Sequence, residues 1–158
     1  MIIKGITFED FLQYKKPSMF IATAFCDFKC EKECGLKGIC QNSVLAKSQD
    51  INISTDRLIL LYLNNNISKS VVFGGLEPML QINDILEFIS QFRKTCDDDV
   101  VIFTGYYKNE IQEQINELKK YKNIIVKFGR FIPNQKSHKD EVLGVNLASD
   151  NQYAEKIS

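Results

Sequence analysis

Cys26, Cys30, Cys34 and Cys40 share one stretch, Phe25-Cys26-Asp27-Phe28-Lys29-Cys30-Glu31-Lys32-Glu33-Cys34-Gly35-Leu36-Lys37-Gly38-Ile39-Cys40, spaced Cys-x3-Cys-x3-Cys-x5-Cys. Thiolates are soft ligands, so such a group suits zinc or an iron–sulfur cluster. Structural zinc sites favour closely paired cysteines, commonly two CxxC hairpins, and the chain has no CxxC pair. Four thiols still permit a closed zinc site in a non-catalytic interaction module. They equally permit a cluster held by three, with one thiol to spare. The first residues, Met1 to Asp10, form no apolar signal core, and no run approaches membrane-spanning length. The chain therefore reads as cytoplasmic, where thiols stay reduced and clustered cysteines bind metal more often than they pair. The fifth, Cys96, ends an amphipathic segment and reads as a half-buried thiol.

Other residues capable of chemistry fall in short groups: Gly74-Gly75-Leu76-Glu77-Pro78, Thr104-Gly105-Tyr106, Gly129-Arg130-Phe131 and Ser149-Asp150-Asn151-Gln152. Paired glycines let backbone approach a ligand closely, or simply make a tight turn. Glu77 suits an ammonium, or the first turn of a helix. Arg130, beside aromatics, reads mainly as a surface cation; Asn151 and Gln152 suit a cofactor site or, equally, a solvated tail. His138 sits in the polar stretch Pro133–Asp140, an expected exposed loop. The chain has 158 residues with one His and no Trp, which excludes an HExxH metalloprotease. Lys plus Arg is 20 and Asp plus Glu is 20, a balance that argues against a broad grip on nucleic acid or anionic lipid.

These residues need a frame to bring them together. Apolar runs at 19–25, 71–73, 100–103, 124–126 and 142–145 read as buried strands. Between them, three segments have helical spacing: Leu58 to Tyr62 behind a Ser54 or Thr55 cap, Ile82 to Phe92, and Ile111 to Leu118. Strands alternating with helices imply βα units and parallel pairing. A chain this short is too small for a full eight-fold βα barrel. The expected fold is α/β: a partial (βα) barrel with a mostly parallel open sheet of about five or six strands, in one domain over 1–158. In such sheets ligands gather at the carboxyl ends of strands. The cysteines, Gly74-Gly75 and Thr104-Gly105-Tyr106 all follow strands.

Cys26-x3-Cys30 after the first predicted strand, with Gly-Gly-x-Glu-Pro after the next, resembles the radical S-adenosylmethionine superfamily. Its cluster pattern is Cys-x3-Cys-x2-Cys and its second pattern Gly-Gly-Glu-Pro. The short chain is similar to the activating proteins of anaerobic ribonucleotide reductase. Cys40-Gln41-Asn42, Thr104-Gly105-Tyr106, Gly129-Arg130-Phe131 and Ser149-Asp150-Asn151-Gln152 resemble patterns of that family in the same order, over residues 19 to 153. The resemblance implies a 4Fe–4S cluster on Cys26, Cys30 and Cys40, with the unligated iron free for S-adenosylmethionine. It implies Ile39, Gly74, Gly75, Glu77 and Thr104 as cofactor-binding residues. It further implies an oxidoreductase that cleaves S-adenosylmethionine and raises a glycyl radical on a large reductase, fed by flavodoxin or ferredoxin, with no nucleic-acid or membrane partner. An enzyme of the same chemistry acting on another substrate fits the same residues. Three departures stand out. Glu33 occupies the place of the third cysteine, leaving Cys34 and Cys40 as contenders. Leu76 adds a residue before Glu77. Phe128 precedes Gly129 where the activating proteins often carry Asp.

Overall fold

A computed structural model describes residues 1–158. The strands are β1 (Ile2–Asp10), β2 (Ser18–Thr23), β3 (Ile51–Asn52), β4 (Ser70–Gly75), β5 (Asp99–Phe103), β6 (Ile124–Phe128), β7 (His138–Lys139), β8 (Asn146–Leu147) and β9 (Tyr153–Lys156). The helices are α1 (Lys29–Cys34), α2 (Ser43–Ala46), α3 (Thr55–Leu63), α4 (Ile82–Phe92) and α5 (Gln112–Leu118). Seven strands form one sheet in the order β3-β1-β2-β4-β5-β6-β9, and β7 pairs with β8 separately. The fold is α/β, and the sheet does not close. No helix is long and apolar enough to cross a membrane.

The four strands legible as apolar runs, β2, β4, β5 and β6, pair in parallel and in sequence order. Each is buried on both faces, which explains why its residues are continuously apolar rather than alternating. The rest of the sheet corrects the expectation of a mostly parallel one. β1 and β3 at one edge and β9 at the other pair antiparallel, so the sheet is mixed. The run Val142–Val145 is not a strand. Asp140 turns the chain there: its carboxylate accepts from Leu143 N at 2.8 Å, its carbonyl accepts from Gly144 N at 2.7 Å, and Gly144 takes φ +75°. The strand forms just beyond, at β8. The expected loop Pro133–Asp140 carries β7, and His138 within it is half-buried.

Strand residues alternate between two cores. On one face Val71, Phe73, Val100, Ile102, Ile124 and Val126 meet α3, α4 and α5. Helix α4 fits because Ile85, Phe88, Ile89 and Phe92 recur at helical spacing and are all fully buried. Phe88 packs edge-on to Phe73 at 5.2 Å and stacks on Phe92 at 5.3 Å. Ser54, not Thr55, caps α3, accepting from Arg57 N at 3.3 Å. On the other face Val72, Val101 and Ile125 are covered by Tyr14, Leu143 and Leu147. Thus one face carries helices and the other carries irregular chain from two distant segments. The carboxyl ends of the four parallel strands stand in a row above both cores.

Candidate functional site

A cavity of about 470 Å3 lies along that row of strand ends. Each strand contributes residues at or just past its end: the cysteine segment after β2, Gly75 at the end of β4 and Glu77 after it, Thr104 after β5, and Lys127 and Arg130 around the end of β6. The placement follows the rule for open α/β sheets.

The cysteine segment leaves β2 at Thr23, whose hydroxyl donates to the Gly74 carbonyl at 3.0 Å. Ala24 N donates to Gln81 Oε1 at 2.8 Å, and Phe25 O accepts from Glu77 N at 2.7 Å. Cys26 Sγ then accepts from Phe28 N at 3.3 Å. Phe28 adopts a left-handed conformation, φ +52°, that turns the chain into α1. Gly35, at φ +66°, ends that helix. The loop returns at Cys40, and Asn42 Nδ2 ties it to the Gly75 carbonyl at 2.5 Å. Cys26, Cys30 and Cys40 line the cavity; Cys34, one turn beyond Cys30 on α1, does not.

Burial, followed by the nearby Glu77, Cys40 and Asp27 charges, pushes the Cys26 thiol up to about 11, against the Phe28 amide. Burial and the hydrogen-bonded Cys40 thiol push Cys30 up as well. Thiols that resist ionisation singly and repel one another as thiolates are held down by a shared cation, which deprotonates its ligands. No three Cys, His, Asp or Glu side chains are drawn up around a single point as one metal ion requires. What the cavity does offer is three soft ligands, Cys26, Cys30 and Cys40, on one wall, a donor type that suits an iron–sulfur cluster.

Of the residues expected to hold a cofactor, Gly75, Glu77 and Thr104 line this cavity. Gly75 needs its missing Cβ twice over. Its φ is +82°, and a Cβ would meet Ala22 and Leu45 at 3.0 Å. Gly74 and Ile39 are not on the wall. Gly74 instead admits the Phe20 ring, which a Cβ would meet at 2.9 Å. Ile39 is half-buried beside Cys40.

Glu77 is buried, and of its two readings the structure shows the helical-turn one. Oε1 caps the turn Pro78–Gln81 by accepting from Met79 N at 3.0 Å, and accepts from Thr104 Oγ1 at 2.7 Å. Oε2 accepts from Gly105 N at 2.8 Å. Three donors leave about one of its four acceptor sites open. Burial raises its pKa despite those hydrogen bonds. The added Leu76 is itself buried on the cavity wall.

Three residues depart from their sequence reading. Arg130 is not a surface cation: its side chain is 2% exposed, and Nη2 donates to both Glu110 oxygens at 2.6 and 2.7 Å. Its burial follows from the strand end above the core and from a carboxylate twenty positions away that brings its charge inside. Asn151 and Gln152 are not a solvated tail. Gln152 is buried; its Oε1 accepts from Ala148 N and Ser149 N, and its Nε2 donates to the Gly129 carbonyl at 3.2 Å. Asn151 Nδ2 donates to the Arg130 carbonyl at 2.9 Å. Gly129, at φ +97°, makes this contact possible, because a Cβ would lie 2.9 Å from the Asn151 carbonyl.

Lys127 was not anticipated. It is 7% exposed on the cavity wall, and Nζ donates to the Gly129 carbonyl at 2.7 Å. Burial lowers its pKa to about 8, with the Glu77 charge acting the other way. Its signal was present in the sequence: a lone charge inside Ile124-Ile125-Val126-Lys127-Phe128. The site thus joins soft ligands, a buried acid and two buried cations.

The model of the 4Fe-4S single cluster domain family matches residues 17–153, and so spans every strand end that bears on the cavity. No curated protein and no solved structure matches the chain.

Proposed function

Because the chain belongs to the 4Fe-4S single cluster domain family, we propose that Cys26, Cys30 and Cys40 hold the cluster and that the protein is a radical S-adenosylmethionine enzyme. The observation that carries this reading is the company the three thiols keep. They share one cavity with Gly75, Glu77 and Thr104, and Cys34 is absent from its wall. Three thiolates on a four-iron cube leave one iron without a protein ligand. A cluster held there would, once reduced, supply the electron for reductive cleavage of S-adenosylmethionine to methionine and a 5′-deoxyadenosyl radical, which would take hydrogen from a glycine Cα.

The chain's own residues have the remaining tasks. Glu77 would accept a hydrogen bond from the methionine ammonium on its open acceptor site. Gly75 lets the ligand lie against backbone, and Thr104 fixes Glu77 by its hydroxyl. Ile39 and Gly74 contribute from behind the wall, holding Cys40 and the end of β4. We read the open sheet as a partial (βα) barrel forming one domain. A large glycyl radical enzyme, anaerobic ribonucleotide reductase, is then the protein substrate. A flavodoxin or ferredoxin in the cytoplasm supplies the electron.

Anaerobic reconstitution with iron and sulfide, followed by S-adenosylmethionine and reductant, tests the proposal. The expected products are 5′-deoxyadenosine and, with the reductase present, a glycyl doublet in electron paramagnetic resonance. A loaded cluster that yields neither rejects it.

A further inference from the structure

We infer that Glu110 and Arg130 are positioning residues that clasp the cysteine segment over the cavity and so set how firmly a cluster is held. The inference rests on the assignment of Cys26, Cys30 and Cys40 as ligands, and it asks what holds those thiols in place.

Helix α1 cannot hold itself. It has six residues, none buried, and its N-cap residue Phe28 makes no side-chain capping bond. An isolated helix of that length is unstable in water. Its anchors must lie elsewhere, and they alternate with the thiols along the chain. Asp27 accepts from the Tyr106 hydroxyl at 2.8 Å. Lys29 donates to Glu110 Oε1 at 3.3 Å and lies over the Tyr106 ring at 4.2 Å. Glu33 Oε1 stands 3.2 Å from Arg130 Nε. Every polar tether that α1 sends across the cavity mouth thus ends on Tyr106, Glu110 or Arg130.

Two of those anchors are fixed from below. The Arg130 guanidinium is buried and lies over the Tyr107 ring at 4.6 Å. Its backbone carbonyl is held by Asn151 Nδ2. Glu110 is pinned by both Arg130 contacts and by Tyr107 N at 2.8 Å. The path therefore runs from the 149–152 segment through Arg130 and Glu110 to Lys29, the neighbour of Cys30. With Glu33 at the far end, carboxylates and cations alternate in the order Glu33, Arg130, Glu110, Lys29. Losing the Glu110 charge would leave Lys29 and Arg130 facing each other without a carboxylate between them. Partners of this kind orient metal ligands, and losing one typically weakens metal retention about tenfold or more.

The test compares wild type, Glu110→Gln, Glu110→Asp and Lys120→Gln, the last removing an exposed pair with Glu117 away from the site. Each protein is reconstituted anaerobically. Iron loss to a chelator, the midpoint potential and the spectrum of the reduced cluster are then measured. The expectation is iron loss about tenfold faster in Glu110→Gln with a shifted potential, partial rescue in Glu110→Asp, and no change in Lys120→Gln. A second readout needs no cluster. Alkylation of Cys30 in the metal-free proteins, followed by peptide mass, should quicken several-fold in Glu110→Gln while Cys96 stays as it was. Unchanged iron loss and unchanged Cys30 alkylation overturn the clasp. Faster alkylation of Cys30 in a chain whose wild type takes up no iron supports the clasp and rejects the ligand assignment.

Discussion

Lys127 is a charge that the fold carries at a loss, and replacing it should make the protein more stable. Its pKa is lowered from 10.5 to about 8 by burial. At about 1.4 kcal/mol for each pH unit between the two values, that is about 3 kcal/mol against the folded state at neutral pH. Lys127→Met keeps most of the volume and removes the charge. The Gly129 carbonyl loses the lysine but retains the Gln152 amide at 3.2 Å, so no acceptor is stranded. The lost hydrogen bond offsets about 1 kcal/mol, leaving a net gain of about 2 kcal/mol. The pH dependence carries the sharper test. Between about 8 and 10.5 the unfolded chain binds a proton at this site that the folded chain does not, so wild-type stability rises with pH relative to the variant. The gain from Lys127→Met should be full below about 8 and gone above 10.5. Urea unfolding of the metal-free proteins across this range measures it. A variant less stable than wild type at neutral pH, or a difference that ignores pH, refutes the reasoning.

Three other outcomes follow from the same geometry. Cys40→Ala should abolish iron uptake, whereas Cys34→Ala should load iron and sulfide as wild type does; metal analysis after anaerobic reconstitution decides between them. Gly129→Ala forces a side chain into φ +97° and against the Asn151 carbonyl, so thermal unfolding should report a loss of about 2–3 kcal/mol. Phe88→Ala, at the centre of the aromatic contacts with Phe73 and Phe92, should cost about 3–5 kcal/mol in urea unfolding without altering the spacing of the thiols.

The sequence revealed those parts of the fold whose burial is uniform or regular. β2, β4, β5 and β6 are buried on both faces and therefore read as unbroken apolar runs. Helix α4 showed its apolar stripe. β1 escaped notice because it is half exposed and its pairing with β2 shifts register between Ile3 and Gly5 and again beyond Thr7. β9 escaped because only Ala154 of its four residues is buried. The site divided along similar lines. The cysteine spacing, Glu77 and Thr104 were visible as local patterns. Cys40 separates from Cys34 through the left-handed turns at Phe28 and Gly35, which spacing alone does not encode. Arg130 was misread because its partner Glu110 is brought to it by tertiary folding, not by sequence.

The cavity wall runs from Gln13 to Gln152, with the thiols, Glu77, Thr104 and Lys127 between them in the chain. The contacts that join its separate strand ends, such as Thr104 and Gly105 to Glu77, close long loops and are entropically opposed. The site is thus a property of the finished fold and not of any segment within it. In an unfolded chain all four clustered thiols stand equivalent toward iron, and Cys34 competes on equal terms. Only the folded chain sets Cys26, Cys30 and Cys40 on the cavity wall and leaves Cys34 off it, so under the proposed assignment the ligands are selected by the tertiary fold and not by spacing.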